Sequence, residues 1–303
     1  LLILDGLEPI QYPPGPMQGR LKDQGLQALT RELRQYNPGL LIITTRVSVE
    51  EIADAQGSTV KMIDLENRSE RAGSLLLKKL GAIGTRDELN AAVREFGGHA
   101  LALNLLGRYI SVAHEGDIRK RNLIADLTEE VKHGGHARRV MKSYDIWLQD
   151  TPEYNILHLM GLFDRPADGG AIEALRKPPA IKGLTDKIEN LSDAQWKFAL
   201  QHLRDLRLLT KMDKRRPDTL DCHPLVREHF EDKLKHEKPD AWNEAHSRLH
   251  EYFRELPGKD LPDTLEEMEP LFAAVDHGCK AGMYQEALYI YWERISRKEK
   301  AFI

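Results

Sequence analysis

Cysteine is scarce in this 303-residue chain, which contains only Cys222 and Cys279. The two lie far apart and match no metal-binding spacing, so the sequence excludes a disulfide-rich or zinc-stapled scaffold and fits reduced thiols. A strong charge of one sign is also missing, because the formal net charge is −4. This balance argues against nucleic acid as the main partner.

Long apolar runs are absent as well. No run is long enough to span a bilayer, and the given N-terminus carries no secretory leader. We expect no membrane partner, and the two cysteines, read as reduced thiols, lead us to expect a cytoplasmic protein. Charged residues make up 30% and hydrophobic ones 41% of the chain, a balance typical of soluble globular proteins. The length suffices for two or three domains.

The first nine residues predict a buried parallel strand. Four apolar residues are followed by Asp5 and Gly6, with Glu8 just beyond. A continuous apolar run is typical of a strand covered on both faces. An acid at its carboxyl end lies where open α/β sheets bind ligands. The run begins in mid-strand without an initiator Met, so we expect the chain to be a piece of a longer protein.

The next residues continue an α/β pattern. A helix is predicted over 23–36, with Leu26, Leu29 and Leu33 on one face. An apolar strand follows at 40–43, and a third strand is predicted near 59–65. The alternation of strands and helices predicts a parallel sheet.

From residue 68 onward the pattern predicts helices. Helix starts are signalled by the capping box at Thr85 and Glu88, by Thr151 before Pro152, and by Ser192. A helix is also predicted over 117–132. A helix, hairpin and helix over 193–235 resemble a winged-helix module, and residues 265–294 resemble one tetratricopeptide-type hairpin. The fold class is therefore mainly α with an incomplete parallel α/β part.

Asp5 and Glu8 are the first candidate site residues. A hard oxygen ligand fixed at a strand end suits Mg²⁺. A second carboxylate nearby can orient or deprotonate an attacking water. The alternative is that Asp5 caps the next turn and Glu8 is solvated.

Thr45 and Arg46 follow the second predicted strand. They would lie at the same sheet edge as Asp5, where a guanidinium can bind a terminal phosphate in a bidentate manner. The alternative is that Arg46 is a surface residue beginning a loop.

Two further stretches carry candidate residues. Gly97-Gly98-His99-Ala100-Leu101 allows close approach of the backbone to a flat ligand, or merely ends one helix and packs against another. His223 lies between a strand and a helix. It can respond to a phosphate, or simply cap its own helix.

Basic residues crowd the predicted hairpin tip. They would contact DNA in a winged-helix regulator, or form a solvated tip. They are Lys211, Lys214, Arg215 and Arg216.

The order of these stretches is more specific than any one of them. Leu-Leu-Ile-Leu-Asp-Gly-Leu-Glu, Leu-Ile-Ile-Thr-Thr-Arg, Gly-Gly-His-Ala-Leu-Ala-Leu and Cys-His-Pro-Leu-Val-Arg-Glu-His occur in succession, followed by helical repeats. This succession resembles the STAND class of P-loop NTPases, which includes NB-ARC and NACHT proteins and bacterial relatives. The resemblance covers nearly the whole chain.

The resemblance implies a domain order and roles for the candidate residues. Residues 1–67 would be the C-terminal part of the nucleotide domain, 68–150 a helical domain, 151–236 a winged helix, and 237–303 the start of the repeats. Asp5 would be the Walker B acid that holds Mg²⁺, and Glu8 the second catalytic acid. Thr45 and Arg46 would sense the terminal phosphate of ATP.

The same resemblance places the other candidates around ADP. Residues 97–101 would lie beside the adenine, with Ala100 where the family has proline. His223 would contact the β-phosphate, with Pro224 where an acid often follows.

One element of the class is missing from the sequence, which contains no Gly-x-x-x-x-Gly-Lys-Ser/Thr. In the class this phosphate loop precedes Walker B. We expect its strand to lie between the two strands retained here, and to belong, with an effector domain, to a part outside this chain. The chain alone is then expected to bind ATP or ADP weakly and to be inactive as an ATPase.

Three functional hypotheses remain open at this stage. The first is an ADP/ATP-dependent signalling switch in defence or stress. It would hydrolyse ATP slowly, and its protomers would oligomerise when a ligand or protein binds the C-terminal repeats. The second is a transcription regulator whose winged helix binds DNA. The third is a non-hydrolysing scaffold that only binds partners.

Overall fold

A computed structural model of the chain describes residues 1–12, 17–45, 47–63, 67–124 and 135–298. The chain divides into two compact units, Leu1–Glu66 and Asn67–Ile303. The first contains a small sheet and the second is helical. The division into further domains at residues 150 and 236 stays a prediction.

The sheet unit is built on two parallel strands, β1 (Leu2–Asp5) and β2 (Leu41–Thr44). They pair directly, with Leu2 opposite Leu41 and Asp5 opposite Thr44. The expectation that a phosphate-loop strand separates these two strands is therefore wrong. Their backbone groups bond to each other along the shared edge instead.

The two faces of this sheet differ in exposure. On one face, Leu4 and Ile43 pack against a small core of Leu7, Leu21 and Val49. On the other face, Ile3 is 54% and Ile42 is 40% exposed. The prediction that the opening strand is buried on both faces is thus wrong, because nothing in the described residues covers the second face.

Helix α1 (Gln24–Gln35) begins where the sequence predicted, with the side chain of Asp23 accepting a hydrogen bond from Leu26 N. The predicted leucine face is only partly buried, since Leu26 packs against the small core while Leu29 is 44% exposed. Gln27 and Thr30 are buried, and Gln27 Nε2 donates to Leu21 O at 2.6 Å. Leucine packing and a polar contact therefore hold the helix together.

The third strand predicted near residues 59–65 is not observed in its described part. Gly57 N donates to Val60 O at 3.0 Å, and Gln56 forms a single parallel bridge with Val60. Met62 and Ile63 are exposed. A local turn replaces the strand because no described neighbour pairs with this segment. Residues 64–66 lie outside the described part.

The helical unit contains eleven described helices. Their bounds are α2 (Glu70–Lys79), α3 (Arg86–Glu95), α4 (Ala100–Ala113), α5 (Gly135–Leu148), α6 (Pro152–Met160), α7 (Gly169–Arg176), α8 (Asp193–Asp205), α9 (Pro224–Glu237), α10 (Pro239–Glu255), α11 (Leu265–Lys280) and α12 (Tyr284–Tyr289). The predicted helix over 117–132 is replaced by a 3₁₀ helix, Ile118–Leu123, in its described part. Residues 125–134 lie outside that part.

One continuous apolar core joins the helices from α2 to α10. Tyr144 and Phe230 are fully buried in it, and Tyr144 Oη donates to Leu105 O at 3.0 Å. Helices α6 and α9 approach closely at Gly161, where an added Cβ would lie 2.5 Å from Glu231 N. Burial on this scale stabilises the unit without help from the sheet.

The predicted hairpin over 208–222 is irregular. Thr210 N donates to Asp221 O at 2.8 Å, but Leu220 forms its antiparallel bridge with Ala167 instead of with the first arm. Arg227 fixes the second arm, since Nη2 donates to Asp221 Oδ1 at 2.6 Å and Nη1 to Phe163 O at 3.0 Å. The winged helix therefore stays a prediction.

The C-terminal helices form a TPR-like antiparallel hairpin. Gly282, with a φ of +77°, turns the chain between α11 and α12. A π-helical turn, Ile290–Ile295, continues α12. Leu271, Ala274 and Ile290 form the small core of the hairpin.

Candidate functional site

The carboxyl end of the sheet brings Asp5 beside Thr44. Thr44 Oγ1 donates to Asp5 Oδ1 and accepts from Gly6 N at 3.0 Å. Gly6 has a φ of +67°, a conformation that favours glycine and turns the chain away directly after the acid. Asp5 thus presents an exposed carboxylate at a rigid strand end, and its contact with Thr44 was not predicted.

Glu8 lies on the same turn as Asp5, at the start of a 3₁₀ helix, Glu8–Ile10. Its Oε2 is 3.7 Å from the position that a Cβ on Gly6 would occupy. The two acids predicted from the sequence are therefore neighbours at one edge of the sheet unit. Their catalytic roles stay predictions.

Thr45 faces the loop that follows the 3₁₀ helix. Thr45 Oγ1 lies 2.7 Å from Gln11 Oε1, to which it donates, and accepts from Val47 N at 3.2 Å. Gln11 is buried, and its Nε2 donates to Gly19 O at 3.0 Å. Thr45 thus ties two loops together, a structural role that the sequence did not indicate. Arg46 lies outside the described residues.

The strand-end residues suit a hard cation in their chemistry. Mg²⁺ is commonly held by one or two carboxylates together with substrate phosphates. Asp5 and Glu8 supply oxygen donors of this type. Among the described residues no group of three or more His, Cys, Asp or Glu side chains could hold a metal ion.

In the helical unit, the paired glycines are explained by contacts within the chain. Both have positive φ, +59° at Gly97 and +66° at Gly98. A Cβ on Gly98 would lie 2.4 Å from Arg68 O, and one on Gly97 would lie 2.9 Å from His136 Nε2. The pair ends α3 and lets residue 68 approach, so no ligand is needed to account for it.

His99 is the N-cap of α4. Its Nδ1 accepts from Ala102 N at 3.2 Å, which leaves Nε2 as the protonated nitrogen of the neutral ring. Burial, and then the charge of His136, lower the pKa of His99. Ala100 is exposed and Leu101 packs partly against the core.

His223 repeats this arrangement at α9, where Nδ1 accepts from Leu225 N at 3.2 Å. The residue as a whole is exposed, yet its ring loses enough hydration to lower its pKa. The charge of His99 is the second cause of that lowering. His99 and His223 are thus two imidazoles that cap helices in the same way, and no described residue forms a hydrogen bond with the Nε2 of either ring. Helix N-termini and such N–H groups favour anions.

His136 is the residue of this group that the sequence did not single out. It faces Gly97 from α5, and its charge lowers the pKa of His99. Its position follows from the packing of α5, which no local pattern signals.

A comparison with solved structures shows which known fold this chain resembles. The chain is similar to the crystal structure of a Signal Transduction ATPase with Numerous Domains (STAND) protein with a tetratricopeptide repeat sensor from Pyrococcus horikoshii, with a TM-score of 0.57 and 16% sequence identity. The match covers 99% of this chain and 36% of that one, so the chain spans about a third of its length. At this identity the likeness shows a STAND-like fold.

The sequence itself gives no closer relationship. It matches no protein-family description and no curated protein. Among the described helices, none is long and apolar enough to cross a membrane.

Proposed function

We propose that this chain belongs to a nucleotide-dependent signalling switch of the STAND class, with features of its NB-ARC and NACHT members. ADP would hold the protein in an inactive state. Exchange for ATP would release it to assemble with other protomers and control an effector, as in defence or stress signalling. Slow hydrolysis would reset the switch.

The matching cap geometry of His99 and His223 supports this proposal most. They lie far apart in the sequence, yet in each the Nδ1 accepts from a backbone N–H of its own helix, which leaves the Nε2–H for another partner. Both are residues that the resemblance assigns to the nucleotide, and each carries an N–H available to a phosphate or base. Each N–H group would donate to an anion bound at these helix starts.

The strand-end acids support the same proposal. Asp5, ordered by Thr44, would hold Mg²⁺ at the phosphates, and Glu8 would orient water. Thr45 and Arg46 would sense the terminal phosphate. The cation would supply charge neutralisation on the phosphate oxygens.

The phosphate loop must then come from elsewhere. The exposed apolar face of Ile3 and Ile42 supports the proposal that further polypeptide covers this side of the sheet. We propose that this polypeptide carries the phosphate loop, and that the 303-residue chain alone retains ADP poorly. Tight ADP binding by that chain would contradict this part of the proposal.

The test is ADP retention by the natively purified full-length protein, comparing His223→Asn with His223→Ala. Asn is a good N-cap and preserves the bond to Leu225 N, but it lacks the Nε2–H. If His223 contacts ADP, both variants should lose about tenfold or more of the retained ADP, as expected for loss of a charge-assisted hydrogen bond.

The outcome against the proposal is equally specific. If His223 only caps α9, the Asn variant should retain ADP at the wild-type level while the Ala variant loses stability. Absence of any nucleotide from the wild-type protein would favour the scaffold hypothesis instead.

A further inference from the structure

A groove of about 840 Å³ lies between the end of α10, the following loop and α12. Its size is within the range of clefts that hold ligands, roughly 300–1,000 Å³. Tyr289 stands at the groove and is 64% exposed. Four carboxylates line the groove, from Glu255, Asp260, Glu286 and Glu293.

The two arginines of the groove are occupied by the protein itself. Arg294 donates to Asp260 O at 2.9 Å and to Arg254 O at 2.8 Å, which fastens the loop to the π-helical turn. Arg254 pairs with Glu251 and Glu255, and Glu293 pairs with Lys298. By contrast, no described residue pairs with the carboxylates of Asp260 or Glu286. The groove therefore offers unneutralised negative charge beside an exposed aromatic ring.

A matching positive surface occurs on the same unit. The hairpin tip exposes four cations in six residues, Lys211, Lys214, Arg215 and Arg216. Asp213 shapes the tip by accepting from Arg215 N at 2.8 Å and lies 3.9 Å from Arg216 Nε, while the side chain of Arg216 remains 73% exposed. The cations thus point to solvent within a locally ordered turn.

We propose that the hairpin tip of one copy docks into this groove on a second copy. Guanidinium groups of Arg215 and Arg216 would pair with Asp260 and Glu286, and one would stack on Tyr289. The contact is heterologous, because each copy uses one surface as donor and another as acceptor. The contact involves no nucleotide, so the result of its test is independent of the result for the proposed nucleotide switch.

Charge reversal on each surface tests the contact. A tip variant carries Arg215→Glu and Arg216→Glu, and a groove variant carries Asp260→Lys and Glu286→Lys. Sedimentation velocity of the 303-residue chain over a range of concentrations should show salt-sensitive association for the wild type. Each variant alone should associate about tenfold more weakly.

Mixing the two variants provides the decisive measurement. In the mixture, the acidic tip of one meets the basic groove of the other, and the unchanged tip meets the unchanged groove. Association should therefore return to nearly the wild-type level. The control Lys187→Glu with Lys197→Glu makes the same change in net charge as the tip variant, on exposed residues elsewhere, and should leave association unchanged.

Three results would overturn the proposal. The wild-type chain could stay monomeric at every concentration. The mixture could associate no better than the separate variants. Alternatively, the monomeric chain could bind an oligo-arginine peptide through Asp260 and Glu286, which would assign the groove to a different basic partner.

Discussion

The two units of the chain are stabilised in different ways. The sheet unit buries Leu7, Leu21 and Val49 as its core and leaves one apolar face of two strands exposed. The helical unit buries a continuous core that runs from α2 to α10. In the first unit a small core is supplemented by polar contacts such as that of Gln27 with Leu21 O, whereas the second has a much larger packed core.

This difference indicates which unit can change its state. A unit with few buried apolar contacts opens at a lower free energy than one with a dense core. The proposed nucleotide residues Asp5 and Glu8 lie in the weakly packed unit, while His99 and His223 lie in the densely packed one.

Among the substitutions that test this difference between the units, the largest loss of stability is expected in the helical core. Phe230 is fully buried and packs edge-to-face against His158 and Tyr154. Phe230→Ala should lower the free energy of unfolding of the helical unit by about 3–5 kcal/mol. Urea denaturation monitored by hydrogen exchange should show the loss in residues 67–303 and leave the exchange of residues 1–66 unchanged.

The exposed Phe198 provides the matched control. It is 75% exposed on α8, so Phe198→Ala should change the same free energy by no more than about 0.5 kcal/mol. Equal losses for both variants, or a parallel loss in residues 1–66, would mean that the two units do not differ as described.

A second prediction concerns acid, because the helical unit buries a histidine pair. His246 and His277 share one proton between Nδ1 atoms 2.8 Å apart. Burial, followed by the charge of Lys280, lowers the pKa of His277 to about 4. Burial, followed by the charge of His277, lowers that of His246 to about 2. Both rings are therefore neutral in the folded protein at pH 7.

The sign of the pH effect follows from these lowered values. The unfolded chain takes up protons near pH 6.5 and the folded one only near pH 4 or below, so stability is complete above 6.5 and falls as pH drops toward 4. Each such histidine contributes a slope of up to about 1.4 kcal/mol per pH unit. His277→Asn should reduce the measured slope by about that amount in urea titrations between pH 6.5 and 4.

The exposed His236 on α9 provides the control, because it tests whether replacing any histidine changes the pH dependence of stability. His236→Asn should leave the slope as it is in the wild type. An unchanged slope for His277→Asn would show that the pair does not control the acid response of the helical unit.

Much of the helical architecture could be predicted from the sequence, because its signals are local. The capping box at Thr85 with Glu88 and the cap at Ser192 are confirmed, since each is completed within one helical turn. The exposed sheet face and the missing third strand could not be predicted, because burial of a strand depends on neighbours that its own pattern does not specify.

In the candidate site, too, only the features that depend on adjacent residues could be predicted from the sequence. The positions of Asp5 at a strand end and of His223 at a helix start were predicted from adjacent residues. The contact of Asp5 with Thr44, the neighbourhood of His99 and His136, and the tie from Thr45 to Gln11 arise between distant segments. Such contacts depend on tertiary packing, and periodicity carries no information about them.

The smallest expected effect falls on the sheet unit. Thr45→Val preserves shape but removes the hydroxyl that donates to Gln11 Oε1, and it leaves a buried amide oxygen without that partner. We expect a loss of about 1 kcal/mol in the free energy of opening of residues 1–66 and none in the helical unit. Native-state hydrogen exchange measures both, with Thr59→Val on the exposed turn as the control. Since the sheet unit has few buried contacts, this single bond should be a large share of its stability. A loss spread over both units would instead mean that they unfold together. The difference in packing between the units would then not produce different free energies of opening.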